Sequence, residues 1–475
     1  RQTMQVTGQP VVNYDYYNNG WIENVRQVVN GIEQKFNFVY DNGGRRQSLK
    51  YFKGTDANPT MRTTYGYDNA NRLLNLQHLN PLNQILESIG YTYDANGNRI
   101  STNRPSVTLP LPNQASNTSY NSANQMLTFN DKNIVYDNNG NMTSVTNTCG
   151  TTTYTWDVRN RLTAINGFKP DCLPLAASFK YDAVGRRIEK TINGTTTSYV
   201  YDGVDIVQEK NQSGAVTANY IRGLNIDEPL LRIMQNAVRF YMTDALGSVI
   251  ALTDDTGVVK TTYSYDPFGN VTVSGETSDN PFQFAGREND GTGHLFERNR
   301  YYSYELLRYI SQDPIGLAGG DVNYYVRVGN NPVNWIDPLG LVWTDWQETI
   351  FATLEGTTAE SSKLKSKTSY GFDTNTDLFV ALPDENLKGK KIEIEVNGKT
   401  IIVDVGDVGP WNGGHSRKGT DFNDPYWDNN QRPQAECGKD KRGRTTNKAG
   451  IDISAALTKK LGLKGNVRLR WRGLP

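Results

Sequence analysis

Two aspartates stand in duplicated surroundings, Asp313-Pro-Ile-Gly-Leu317 and Asp337-Pro-Leu-Gly-Leu341. If folding brings them together they can share one proton, the arrangement in which one carboxylate acts as base and the other as acid on a bound water. Asp-Pro followed by Gly two residues on is also strong β-turn chemistry. On residue types alone, a pair of turns and a catalytic pair both stay open, with Asp321 a weaker alternative partner for Asp313.

A second set of chemistry lies beyond Leu341. Asp407, in Asp407-Val-Gly-Pro410, and Asp452, in Gly450-Ile-Asp-Ile-Ser454, bracket a polar insertion that holds His415, Asp421, Asp424, Trp427 and Glu436. Cleaving a glycosidic bond needs at least one well-placed acid, and the separation of two carboxylates decides between inverting and retaining chemistry. Trp411, Tyr426 and Trp427 suit stacking on sugar rings and equally suit the core of a small barrel. From Gly438 to Pro475 eleven Lys or Arg face only Asp440 and Asp452. That bias can hold an anionic polymer, nucleic acid or cell-wall, and solvated strand faces explain much of it without a ligand. A nuclease would use the basic residues as phosphate clamps, with Asp407, Glu436 and Asp440 as metal ligands. A non-catalytic carbohydrate-binding module for adhesion is a third reading.

The elements that position these residues follow from composition and periodicity. At 475 residues the chain predicts two or more domains. Its formal charge is zero, hydrophobic residues make up 36%, and no apolar run approaches the roughly 18 residues of a membrane span, which predicts a soluble chain. It begins at Arg1, already in repeat-like sequence, and this reads as a cleavage boundary. The three cysteines, Cys149, Cys172 and Cys437, lack paired metal-site spacing and read as inert thiols. The three histidines, His78, His294 and His415, do not cluster, so neither a metal centre nor a cofactor is expected.

Over residues 1–290 a Tyr-Asp unit recurs at a period of roughly 20 to 27 residues: Tyr40-Asp41, Tyr67-Asp68, Tyr93-Asp94, Tyr136-Asp137, Trp156-Asp157, Tyr181-Asp182, Tyr201-Asp202 and Tyr265-Asp266. Apolar and polar residues alternate on both sides of Asn-Gly or Gly-Asn turns, which predicts β-hairpins. One hairpin cannot bury its apolar face alone, so neighbours must share a core in an extended sheet or spiral. The recurring Tyr and Asp read as ring packing between units and an Asx-type turn bond.

The repeats, followed by Pro281-Phe-Gln-Phe-Ala-Gly286-Arg287 and Arg298-Asn-Arg-Tyr-Tyr302, resemble the Rhs/YD-repeat family, which includes the C subunits of insecticidal toxin complexes. The resemblance runs from residue 1 to Leu341. It implies a mainly β fold in which the repeats form part of a hollow shell around a variable C-terminal toxin. It also implies a core at residues 291–341 that acts as an aspartyl autoprotease. Carried over, the pair is Asp313 and Asp337, the scissile bond joins Leu341 to Val342, and Arg308 is the supporting arginine that precedes the first motif. Leu307 stands where that family usually has Gly. The resemblance further implies export, delivery of the toxin into a target cell, a secretion apparatus or toxin-complex partner, and an immunity protein.

Residues 342–475 lack the repeat. Lys391-Ile-Glu-Ile-Glu-Val396 and Thr400-Ile-Ile-Val-Asp-Val405 flank an Asn397-Gly398 turn, which predicts a hairpin with Ile394 opposite Ile401 and Ile392 opposite Val403. Asp452 or Ser454 can cap a short helix through Leu461, and Val467, Leu469 and Trp471 alternate with Arg468, Arg470 and Arg472 as a final strand. From about residue 368 this order resembles the double-psi β-barrels of the rare lipoprotein A-like family, which implies peptidoglycan or other glycan cleavage with Asp407 catalytic and Asp452 supporting. A departure is the residue before Leu382-Pro383: Phe379-Val-Ala381 carries no His where active lytic members have one. The nearest upstream carboxylates are Asp373 and Asp377.

Overall fold

The computed structural model describes residues 1–112, 114–319 and 321–341 and six strands between Gln347 and Gly473. The chain divides into two compact units, Arg1–Trp343 and Thr344–Pro475.

The first unit is built almost wholly from antiparallel strands joined in chain order. A nine-stranded sheet spans Thr3–Met4 to Arg99–Asn103, and a sixteen-stranded sheet spans Thr118–Tyr120 to Val271–Gly275. A small four-stranded sheet follows, formed by Glu288–Asn289, His294–Glu297, Arg300–Ser303 and Arg308–Tyr309. The first sheet packs Val12, Phe36, Phe38 and Tyr51 against Ile221, Leu231, Phe240 and Met242 near the end of the second. Phe296 and Tyr301 of the small sheet, with Ile310 just after its last strand, complete the core over Met126 to Phe179. The segment carrying the paired aspartates is tied to the same repeats, where the Tyr325 hydroxyl donates to Gly140 O at 2.8 Å.

The repeating unit explains itself locally. Asp41 Oδ1 accepts the Gly43 and Arg45 amides, closing the turn, while Arg45 Nε donates to Asp41 Oδ2 at 2.7 Å. The same guanidinium lies 4.8 Å from the ring of Tyr67 in the next unit, and the Tyr67 hydroxyl donates back to Arg46 O at 3.0 Å. Asp68, Arg72 and Tyr93 repeat the arrangement, as do Asp157, Arg161 and Tyr181, and Asp182, Arg186 and Tyr201. The expected turn bond and ring packing are both present, joined by an arginine four residues after the Asp that the sequence reading had not singled out. Gly44, Asn71 and Asn160 all take a positive φ (80°, 65° and 57°) at the fourth turn position, which is why that position alternates between Gly and Asn.

One expectation is corrected here. Cys149 and Cys172 are not free thiols but form a disulfide, with Cα atoms 5.3 Å apart. They sit in alternate hairpin turns, after Met142–Asn147 and after Leu162–Phe168, and an antiparallel meander places every second turn on the same edge. Their separation of 23 residues is one repeat period, the spacing that scattered placement had concealed.

In the second unit six strands close into a barrel, in the order Gln347–Leu354, Ile451–Ile453, Phe379–Leu382, Lys399–Val408, Lys391–Val396 and Val467–Gly473. The hairpin has the expected register, Ile392 opposite Val403 and Ile394 opposite Ile401. Asp452 falls within a strand, while the helix expected from Ser454 to Leu461 lies outside the described residues.

Candidate functional site

Both Asp-Pro motifs fold as turns, and the turns place their carboxyls rather than replacing their chemistry. The Gly316 amide donates to Asp313 O at 3.0 Å and the Ile315 amide to Asp313 Oδ1 at 3.0 Å. In the second motif the Leu341 amide donates to Asp337 Oδ1 at 3.1 Å. The Asp313 amide is itself held by Tyr324 O at 3.0 Å.

Arg300, on the strand Arg300–Ser303, joins the two. Its Nη2 lies 3.0 Å from Asp313 Oδ2 and 3.2 Å from Asp337 Oδ2, so these oxygens are within about 6 Å of one another, the most that two contacts to one nitrogen permit. Its Nε donates to Gly340 O at 2.6 Å and its Nη1 to Tyr324 O at 3.1 Å, and its guanidinium lies 3.6 Å from the Tyr309 ring centre. The Tyr309 hydroxyl is 2.8 Å from Asp337 Oδ2 and also bonds Glu297 Oε2, whose other oxygen accepts Arg327 Nε at 2.9 Å. Asp337 and Arg300 are buried, and Asp313 borders a small cleft shared with Gly319, Asp321, Asn323 and Leu341.

Two glycines shape the approach to Leu341. A Cβ on Gly319 would stand 2.7 Å from Asp313 Oδ2 and 3.1 Å from Leu341 O, so this glycine opens the space where carboxyl and carbonyl converge. Gly340 has φ 65°, and a Cβ there would stand 2.1 Å from Glu297 O. Burial pushes the Asp313 carboxyl up to about 6, with Arg300 and the Ile315 amide opposing it and Asp337 adding to it. The Asp313 carboxyl thus changes charge near neutral pH.

The structure brings Asp313, Asp337 and Leu341 together, while Val342 lies outside the described residues. Arg308 is placed elsewhere. Its Nη2 donates to Asn124 O at 2.7 Å and lies 3.3 Å from Asn323 Oδ1, with the guanidinium 4.8 Å from the Tyr325 ring, so it ties the core to a repeat turn and does not touch either aspartate. Asp321 lines the cleft but caps the Asn323 amide at 2.8 Å. Leu307 has φ 58°, the left-handed conformation that a Gly would take without strain. Arg300, Tyr309 and Glu297 were missed as site residues. Their signal was present: charged side chains inside Leu295-Phe-Glu-Arg-Asn-Arg-Tyr-Tyr302, an otherwise aromatic and apolar strand pair that cannot bury them unpaired.

In the second unit the register places Asp407 and Asp452 on strands flanking Phe379–Leu382, each paired with Ala381. His415 and Glu436, with Asp421, Asp424, Trp411, Tyr426, Trp427 and Asp440, lie outside the described residues, as do Asp373 and Asp377. Among the described residues there is no His, Cys, Asp and Glu grouping of metal-site type.

A meander of Tyr-Asp hairpins packed against a small sheet, with a buried acidic pair beside the chain's own Leu341, defines a YD-repeat shell. The Teneurin YD-shell family model matches residues 3–332, and the chain belongs to that family. Residues 346–470 match a Domain of unknown function (DUF8814). The tRNA nuclease WapA of Bacillus subtilis (strain 168) is 36% identical over 281 residues, 55% of this chain and 12% of WapA. The Double-stranded DNA deaminase toxin A of Burkholderia cenocepacia (strain H111) is 28% identical over 313 residues, 59% of this chain and 21% of that protein. The chain thus spans about an eighth to a fifth of the length of these relatives. Among solved structures, the Photorhabdus luminescens Tc holotoxin pore shares the fold at a TM-score of 0.53 and 19% identity, over 72% of this chain and 21% of that one.

Proposed function

We propose that the first unit is part of a toxin shell that cuts its own chain after Leu341 and so releases the C-terminal unit as a toxin. The observation that carries the cleavage is the single Arg300 nitrogen bridging Asp313 and Asp337, with Leu341 anchored to Asp337 through its amide. In the reaction Asp337 takes a proton from a water, whose oxygen attacks the Leu341 carbonyl carbon. Asp313, protonated below about pH 6, gives its proton to the Val342 nitrogen as the C–N bond breaks, leaving a new carboxyl at Leu341 and a new amine at Val342. Asp313→Asn and Asp337→Asn leave one uncut chain by intact mass. Either variant still cut at Leu341 would sink the assignment.

For the released unit we propose a nucleic-acid-directed enzyme, the alternative of the sequence reading moved to first place. Its support is the naming of relatives for nuclease and deaminase activities, together with the run of basic residues from Lys439 to Arg472. A glycan-cleaving barrel of double-psi type is the second reading, favoured by the closed barrel and by Asp407 and Asp452 both in register with Ala381. Residues 342–475 expressed in the cytoplasm of a test bacterium kill with loss of DNA or RNA under the first reading. Killing only from the periplasm selects the second, and no killing from either side selects a binding module. Export into an oxidising compartment agrees with the Cys149–Cys172 disulfide. Such a toxin requires an immunity protein in its producer and a secretion apparatus or toxin-complex partner for delivery.

A further inference from the structure

The Tyr309 hydroxyl has one proton and two carboxylate neighbours, Asp337 Oδ2 at 2.8 Å and Glu297 Oε2. It can donate to only one of them. The other contact is a hydrogen bond only if that carboxyl carries a proton of its own. Asp337 already accepts from Arg300 Nη2 at Oδ2 and from the Leu341 amide at Oδ1, so each of its oxygens has a donor besides Tyr309, as an ionised carboxylate requires. Glu297 accepts from Arg327 at Oε1 alone, which leaves Oε2 free to bear a proton and donate it to Tyr309.

The charge balance agrees. The charged groups around Glu297 and Tyr309 are Arg300 and Arg327 on one side and Asp313 and Asp337 on the other. Tyr302 stacks edge-on against Tyr309 at 5.8 Å, and Arg287 is already engaged by Asp227. Three carboxyls against these two guanidiniums call for one extra proton: Asp313, at the cleft, carries it below about pH 6, and once Asp313 ionises the cluster stays neutral only with a proton on Glu297 or Asp337. Glu297 and Tyr309 are fully buried, where a carboxyl or hydroxyl left without a hydrogen-bond partner is costly. Burial, opposed by Arg327 and reinforced by Asp337, also holds the Glu297 carboxyl above its ordinary range.

We infer that Glu297 is a protonated positioning residue that, through Tyr309, keeps the Asp337 carboxyl ionised and aimed at Leu341. Glu297 donates to Tyr309, and Tyr309 donates to Asp337. This rests on the self-cleavage reading, but its test separates the two.

The full chain is synthesised in a cell-free system as parent, Glu297→Gln, Glu297→Ala, Tyr309→Phe and Asp313→Asn. Cleavage is timed on denaturing gels and each product is melted. A glutamine is the neutral mimic of a protonated glutamate, so Glu297→Gln should cut within about threefold of parent and melt within about 2 °C of it, whereas Tyr309→Phe should cut at least about tenfold more slowly. If Glu297 were instead an ordinary ionised partner of Arg327, the glutamine would behave as badly as the alanine. A Glu297→Gln chain that fails to fold, or folds and fails to cut, overturns the inference, and so does Tyr309→Phe cutting at the parental rate. Should the parent itself stay whole, or Asp313→Asn be cut, the self-cleavage reading fails. The melting comparison of Glu297→Gln with Glu297→Ala then still decides the proton on Glu297.

Discussion

Replacing Arg300 by Met keeps most of the side-chain volume and removes the one cation that both aspartates share. In the parent, Arg300 is 3% exposed at its side chain, with Asp313 and Asp337 at 7% and 2%, so the variant leaves two carboxyls facing each other with little water between them. Removing one partner of a buried ion pair costs about 3–5 kcal/mol, and the low end applies because Asp313 borders the cleft. The same change deletes the donors to Gly340 O and Tyr324 O, which hold the second turn and the chain leading to it. At roughly 2 °C per kcal/mol for a unit of this size, the melting temperature should fall by on the order of 6 °C at pH 7.5. Arg300 also opposes the upward push of burial on Asp313, so its loss sends that carboxyl higher still. At pH 5 Asp313 is then protonated, one charge is gone, and the deficit should shrink. Differential scanning calorimetry at the two pH values, with cleavage followed by intact mass, measures both effects. A variant that melts with the parent at pH 7.5 and still cuts at Leu341 would refute the bridging role.

Self-cleavage should depend on pH through Asp313: with a folded value of about 6, raised by burial, the acid form is plentiful below pH 6 and falls about tenfold per unit above it, so initial rates should follow that decline. Because this is a raised carboxyl, the folded state binds its proton more tightly than the unfolded chain, and the contribution of Asp313 to stability declines as pH rises from about 4 to about 6. Gly340→Ala should abolish cleavage and lower the melting temperature, since its Cβ meets Glu297 O on the neighbouring strand at a positive φ, and unaltered cleavage would contradict the placement of that turn. Reducing Cys149–Cys172 should cost about 3 kcal/mol for a loop of 23 residues, read as a lower denaturant midpoint in dithiothreitol.

The repeats were legible because the same physics recurs in each unit. Alternation marks the strands, Asn or Gly marks the left-handed turn position, and Tyr-Asp marks the junction, so the antiparallel meander could be drawn from residues 1–290 before any coordinates. What the pattern did not reveal was which strands face one another. Pairing within the meander is local, but Phe36 against Phe240, or His78 Nε2 3.0 Å from Thr243 O, joins residues far apart in sequence. Nothing in a period of two encodes that choice. The Cys149–Cys172 bond was missed for the opposite reason. It is local once the repeat is taken as the unit of distance, but counting cysteines treats the chain as unfolded.

In the core the aspartates were legible because the motif is duplicated, and the arginine was misassigned because proximity in sequence stood in for proximity in space. Arg308 is five residues from Asp313 but lies on the strand that faces the repeat turn at Asn124. Arg300 is thirteen residues away and points inward from the adjacent strand, where the register sets Tyr302 opposite Tyr309. A buried carboxyl pair must be compensated by a cation that is itself buried. The informative places to look are therefore charged residues inside apolar strands, not those beside the motif. By that criterion Glu297, Arg300 and Arg327 stand out together: Arg300 pairs with the two aspartates, Arg327 pairs with Glu297, and Tyr309 joins the two pairs inside the core. Water reaching Glu297 would take its proton in place of Tyr309, and the Tyr309 hydroxyl would no longer be directed to Asp337 alone.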